Sequence, residues 1–578
     1  MSAGENRLEE ERGLIKEARQ RGPLSTLGVY TRLSGPGWLQ SAITLGGGSL
    51  GGSLYLGVLL GYGTMWLQPL AMLLGVVMLS AISYVTLSTG RRPFEAINKE
   101  ISPVLGWSWL IGTMMANMVW CMPQFSLGTG ALNQNLFPGL SDGPAVAILF
   151  VLATIVIWSY NSGSKGIKLF EILLKVLVGV VVISFFAVVL RMTFSDEGLP
   201  WSEILAGFIP NPALLNVSSR LEPLIAATSK PDFWRSQVFN PQVETMVTAT
   251  ATAVGINMTF LMPYSLLRKK WDRDFRGLAI FDLSTGLFIP YLLATSCVVI
   301  AAASQFHGRP ELGIVETTDA EGQPIVVSGG IRSGVDGLLD ARLSEELGKD
   351  GFAEKFGGKD RSESQLQALQ QARNELPEAD RKMAAILVKR DNQQLAGALE
   401  KLTGKTVAHV VFGIGVLAMA VSTIIILMLI NGFALCEMLG HEPTSNTFRV
   451  GCLLAGLSGA FGSMYLWTGN AKAWLVVPTS MFGAALLPIA YLTFFWMMNS
   501  RRLLGSHLPS GLNRLKWNVL MILALSFAIT VSIVSIYQSD STKQLVGFGS
   551  LAAIAVLSLI FRAKHGVPQT EDAAASAD

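Results

Sequence analysis

Charge is what this chain has least of. Only 15% of its 578 residues are Asp, Glu, Lys or Arg, and the 44 basic and 41 acidic side chains leave a formal net charge of +3. That balance excludes a nucleic-acid partner. Cysteine is as scarce. Cys121, Cys297, Cys436 and Cys452 all lie inside apolar runs, without the paired loop spacing of a disulfide framework or a CxxC metal knuckle. The five histidines, His307, His409, His441, His507 and His565, fall in loops or at the ends of apolar runs and offer no imidazole cluster. The polar, mixed-charge residues before Gly22 lack the apolar core of a cleaved signal peptide. No nucleophile–base pair or phosphate-binding loop points to an enzyme, and nothing calls for a cofactor.

What is abundant is apolar length. Half of the residues are hydrophobic and the mean hydropathy is +0.45, with repeated runs near the roughly 20 residues that a bilayer requires. The expectation is an all-α polytopic membrane protein of about twelve transmembrane helices, near 35–57, 64–89, 105–128, 143–160, 168–194, 243–267, 276–303, 406–431, 449–468, 472–498, 517–537 and 543–562. Short loops with Arg91, Arg92, Lys99, Lys165, Lys168, Arg268, Lys269, Lys270, Arg273, Arg276, Arg501, Arg502, Arg514 and Lys516 fall on the side of the N-terminus. The positive-inside rule makes that side cytoplasmic, with both termini inside the cell membrane. Asp282 and Glu437 sit near cytoplasmic span ends, where pairing with those basic loops is expected.

Two segments are too long and polar for such loops. Residues 195–242 are rich in Pro and Trp, and residues 304–405 carry 14 Lys/Arg and 17 Asp/Glu. Helical patterns at "SESQLQALQQARNEL" and "EADRKMAAILVKRDNQQLAGALEKL" make the second a small soluble extracytoplasmic insertion, helical in its second half. It reads either as a solvated loop or as a docking site for an extracytoplasmic partner. The chain thus divides into a cytoplasmic segment 1–34, transmembrane helices one to seven over 35–303, the insertion 304–405, helices eight to twelve over 406–562, and a cytoplasmic tail 563–578.

The first span contains "LQSAITLGGGSLGGSLYLG". Each glycine in a helix interior costs on the order of 1 kcal/mol relative to Ala, so Gly46, Gly47 and Gly48 in a row, with Gly51 and Gly52 behind them, open the ladder locally. Small residues that merely let helices approach are usually spaced one turn apart. Backbone groups freed at mid-membrane depth are tolerated where they line a cavity, as at the substrate sites of secondary transporters. An inverted five-helix repeat would place a second broken helix five spans later. Span six, "TATAVGINMTFLMPYSLLRKKW", has Gly255 early and Pro263 in the middle, where the missing N–H frees the carbonyl near Thr259.

Several stretches resemble the natural resistance-associated macrophage protein (Nramp) metal transporters, of the amino acid, polyamine and organocation superfold. "GPGWLQSAITLGGGS" looks like the family's first-span signature GPGFxxxxxxxDPGN, and "FLMPYSL" looks like its sixth-span MPHN. "FGIGVLAMAVSTIIILMLINGFALCEMLG" and "PTSMFGAALLPIAYLTFFWMMNSRRLLG" are similar to its eighth and tenth spans.

On that resemblance the family's metal-binding Asp and Asn fall on Gly46 and Ser49, its Met is kept as Met262, and its two sixth-span His fall on Tyr264 and Lys269. Its third-span Asp and Glu fall on Cys121 and Gln124, and a tenth-span Gln on Ser480. The expected substrate site is Thr44, Gly46, Gly47, Ser49, Gln124, Thr259, Met262, Tyr264 and Ser480, with Met262 and Ser49 as ligands if a metal is bound. No Asp, Glu or His lies near either break, which argues against ordinary proton-coupled Mn²⁺ or Fe²⁺ transport. Three readings follow: a metal-ion transporter whose cation keeps its water, a carrier of the same fold for a neutral or zwitterionic solute, and a non-transporting membrane scaffold or receptor.

Overall fold

The computed structural model describes residues 3–160, 164–196, 198–211, 216–311, 313–315, 325, 327–358, 361–390, 394–397, 400, 404–467 and 472–561. Among them every regular element is helical. Ten helices are long and apolar enough to cross a membrane, and the bent pair Pro36–Thr44 and Gly47–Leu60 makes an eleventh span. Helix Asn446–Phe461, prolonged by a π turn through Leu466, is shorter and packs against spans eight and three where the ninth is expected. The eighth span, Thr406–Leu439, runs through the middle of the bundle. Helix Phe412–Leu439 is apolar on all faces and buried over most of its length, the pattern of a helix that meets protein on every side.

Both helices expected to break are interrupted. Span one bends by 52° between Thr44 and Gly47. Span six, Pro231–Arg268, is divided at 252–255 into Pro231–Ala251 and Ile256–Arg268. The sixth-span break therefore lies before the expected Thr259–Pro263. Pro263 sits inside a helix that continues past it, and the interruption falls at Gly255, whose extended backbone (φ −88°, ψ 164°) starts the second half.

At the end of the bundle that carries the basic loops, Asp282 accepts the Gly35 N–H at 3.1 Å, the Gly37 N–H at 2.6 Å and the Ser34 hydroxyl. The carboxylate thus caps the N-terminus of the first span, where orphan N–H groups and the helix dipole favour a negative charge. The expected partner was a basic loop, and the partner found is backbone. Glu437 does pair with a loop cation, Arg92, at 3.3 Å. Lys269 pairs with Glu171 at 3.3 Å, and the N-terminal helix Ala3–Arg21 is held across this face by Arg12 to Asp272 at 2.6 Å.

The opposite end carries the charged insertion. Helices Glu363–Glu375 and Glu378–Leu387 occupy the stretches with helical patterns, and a 28-residue helix, Gly329–Phe356, precedes them with a kink at Gly348. Much of 389–405 lies outside the described residues. The insertion does not fold around itself alone. Ile331, Leu339, Phe356 and Met383 share one core with Leu221, Ile225, Trp234 and Val238 from the other long segment. At its centre Asp380 is fully buried and accepts from Trp234 Nε1 at 2.7 Å, Ser229 N at 3.0 Å and Arg342 Nε at 3.1 Å. Burial pushes the Asp380 carboxyl up, but these donors outweigh it and hold the group below its ordinary value.

Candidate substrate site at the two helix breaks

Span one breaks because its glycines leave space that a neighbour fills. Gly46 is extended (φ −110°, ψ −177°), a conformation open to any residue. A Cβ there would come within 3.0 Å of the Ile43 carbonyl oxygen and of Thr423 Cβ, so glycine is required by close approach. The carbonyls that the bend releases are taken up locally. Ser422 and Thr423 of span eight donate to the Ala42 carbonyl at 2.9 and 3.2 Å, and Thr423 also reaches the Ile43 carbonyl at 3.3 Å. The Ser49 hydroxyl donates back across the break to the Thr44 carbonyl. On the other side of the bend, Gln124 Oε1 accepts the Gly47 N–H at 2.7 Å, one of the orphan donors of the new helix.

Span six meets this point from the other half of the repeat. Gly255 lies against the Trp120 ring with no room for a Cβ. The next residues, Asn257 and Met258, turn toward span one: the Thr44 hydroxyl donates to Met258 Sδ at 3.1 Å and Gln40 Nε2 to the Met258 carbonyl at 3.3 Å. Between the breaks is a cavity of about 30 Å³, room for one or two water-sized spheres. Its walls include Thr44, Gly48, Ser49, Gln124, Thr252, Asn257, Met258, Thr423 and Ser480. None of the lining side chains is ionisable. Asn257 Nδ2 and Ser480 Oγ have no protein partner although both residues are fully buried; such groups are normally satisfied by water or a ligand.

Of the nine residues expected at the site, Thr44, Ser49, Gln124 and Ser480 line this cavity, and Gly46 and Gly47 form its broken edge. Thr259, Met262 and Tyr264 are not among its lining residues. Thr259 accepts from Trp109 Nε1 at 2.9 Å in a helix interface, Met262 is buried in the apolar core, and Tyr264 stacks on Phe260 with ring centroids 4.3 Å apart. The reason is the register of the break. A site at 252–255 brings in Thr252, Asn257 and Met258, one turn or more before "MPYS". Cys121 faces Gly459 of the ninth helix instead of the cavity. Thr423, unforeseen, had a signal in the sequence: Ser422 and Thr423 are adjacent hydroxyls within the otherwise apolar "AVSTIII".

Among the described residues there is no group of three or more His, Cys, Asp or Glu able to hold a metal ion. The donors present are hydroxyls, amides, one thioether and backbone carbonyls.

Comparison with known proteins agrees with the geometry. The family model described as natural resistance-associated macrophage protein-like matches residues 37–323 and 382–538. A divalent metal cation transporter MntH from Verminephrobacter eiseniae is 24% identical over 362 residues, 59% of this chain and 72% of that protein. The chain also superposes on the manganese transporter of Eremococcus coleocola, with a TM-score of 0.56 at 14% identity over 93% of this chain and 94% of the other. A mutant form of that transporter gives 0.52 at 15% identity, over 92% and 94%.

Proposed function

Because the chain belongs to the natural resistance-associated macrophage protein-like family, we propose that it is a secondary transporter carrying a hydrated divalent metal cation, Mg²⁺ before Mn²⁺, across the cell membrane. Both termini are cytoplasmic in this reading. The observation that carries it is the meeting of two helix breaks at a small buried cavity whose walls are polar and uncharged. Mg²⁺ dehydrates reluctantly and is usually held with several of its waters. Those waters donate to the Ser49, Ser480 and Gln124 oxygens and spread the charge, so no carboxylate is required at the centre. Mn²⁺ held by direct ligands lacks its usual donor set here. At about 30 Å³ the cavity in this structure must widen to take an ion with several of its waters, as it would for an amino acid.

No proton acceptor lines the cavity, so cation uptake is not obligatorily coupled to protons at this site. The test is uptake by proteoliposomes containing the purified chain, followed with Mg²⁺- and Mn²⁺-sensitive dyes at several external pH values. Mg²⁺ uptake that varies less than about twofold between pH 6 and 8, the span in which ordinary His titrates, is the expected result. Micromolar Mn²⁺ uptake with none of Mg²⁺ refutes the proposal.

A further inference from the structure

A second cavity lies along the same two elements that wall the central one. Gln124 of the third span and Val476 of the tenth line the inner cavity. Ser126 and Lys472, two residues along the first element and one turn back along the second, line an outer cavity of about 200 Å³ on the insertion side. Gln124 and Ser126 are only ~3 Å apart along the helix axis but roughly 200° apart around it, so the two cavities meet the third span on different faces. At the outer cavity the Ser126 hydroxyl donates to the Lys472 carbonyl at 3.2 Å and so ties the two elements together.

The outer cavity has what the inner one lacks, a carboxylate. Asp142 lines it, and its Oδ1 receives the Lys472 ammonium at 2.7 Å and the Asn133 amide at 2.5 Å. The pair is half in solvent, with Asp142 55% and Lys472 25% exposed, so it breaks at little cost. Two further lining groups are unpartnered: Trp467 Nε1, and Thr129 Oγ1 on a residue only 3% exposed. A buried hydroxyl facing a polar chamber beside a carboxylate is suited to a hydrated cation, whose waters supply the missing partner.

We propose that this outer cavity is an antechamber in which Asp142 binds the incoming divalent cation, and that the Lys472 ammonium is a tethered competitor occupying the cation's place when the chamber is empty. The assignment of a cation as ligand rests on the transport reading above. The chemistry is exchange of one ion for another at a single carboxylate. The cation arrives with part of its water shell, and the ammonium moves out to solvent on its four-carbon stem.

Binding of Mn²⁺ as probe, followed by its paramagnetic resonance signal in the purified full-length protein, tests this apart from transport. Lys472→Met keeps the stem and removes the charge, and the Mn²⁺ affinity of the outer site is expected to rise about fivefold, the most that release of a half-exposed ion pair returns. Asp142→Asn is expected to abolish that gain in the double variant. Lys472→Arg, which keeps the charge, should bind as the unmodified protein does, and Ser480→Ala should leave the outer site intact. Unchanged affinity in a folded Lys472→Met protein, or a gain that survives Asp142→Asn, overturns the proposal. Asp142-dependent binding without any cation uptake would refute the transport reading and leave the antechamber standing; uptake without such binding does the reverse.

Discussion

The Tyr55 hydroxyl, in the second half of the broken first span, donates to the backbone carbonyl of Arg390 at 2.7 Å. Arg390 belongs to the insertion, and its guanidinium, 1% exposed, is held by Glu311 at 2.8 Å and by the Ala385, Ile386 and Val388 carbonyls. Next to it the Lys389 ammonium lies 4.1 Å from the Trp474 ring centroid, and Trp474 meets Tyr55 edge-on at 4.6 Å. The end of the insertion is therefore fastened to the spans that wall the central cavity.

Tyr55→Phe leaves the Arg390 carbonyl buried without its donor, at a cost of about 1–2 kcal/mol. The expected result is a lower unfolding temperature in detergent and faster proteolytic nicking between 389 and 405 in intact vesicles. Unchanged nicking would mean that the insertion is held by its shared core with 217–238 and owes nothing to span one.

The location of the sixth-span break makes two methionines distinguishable. Met258 lines the cavity and Met262 does not. Asn257→Leu and Ser480→Ala are each expected to reduce Mg²⁺ uptake about tenfold, as loss of a polar contact to a hydrated ion would, whereas Met262→Leu, nearly equal in volume, should stay within about twofold. The reverse pattern would place the substrate at "MPYS".

Gly47→Ala tests the close approach at the bend. Its Cβ would run into Leu127 Cδ1 and fall 2.9 Å from Gln124 Oε1, pushing the leucine aside and the amide off the Gly47 N–H that it now accepts. Uptake is expected to fall by more than about tenfold, since a buried N–H without its partner costs about 1–3 kcal/mol. Size-exclusion behaviour should be that of the unmodified protein. Full activity in this variant would show that Leu127 and Gln124 can give way without disturbing the bend.

His307 links the outer ends of two elements. Its Nδ1 donates to the Val58 carbonyl at 3.0 Å, so Nε2 of the neutral ring accepts from the Ser218 hydroxyl at 2.8 Å. Burial lowers its pKa below the ordinary 6.5, the Val58 hydrogen bond opposes that shift, and Arg220 adds to it. With the folded value depressed, the neutral ring's contribution is complete above pH 6.5. It is lost as pH falls through the folded value, because the unfolded chain takes up the proton first. Unfolding temperatures measured from pH 7.5 to 5 should decline more steeply for the unmodified protein than for His307→Asn, and parallel curves would contradict the assignment.

Consecutive glycines announced the first break because their cost is local and additive. The second was displaced in the sequence reading because Pro263 is the more conspicuous interruption, yet a proline removes a single hydrogen bond and a buried helix can continue past it. Gly255 carried the weaker signal and the true break. In the insertion, helix Glu363–Glu375 was legible from the helical pattern of "SESQLQALQQARNEL", and the structure adds a capping box at its start, Ser362 with Gln365. Helix Gly329–Phe356 was hidden by its six glycines. The core shared by Trp234 and Met383 joins residues far apart in the chain, and no local pattern could express it.

The hydroxyls of Ser49, Ser422 and Thr423, which take up the carbonyls of Ala42, Ile43 and Thr44, bear on the half of the work cycle in which nothing is carried. A bend held open only by its cargo would close or unravel each time the cargo left. Here the protein's own hydroxyls hold the bend, so a carrier of the proposed kind would keep, when unloaded, the shape it needs to swing back and collect the next ion.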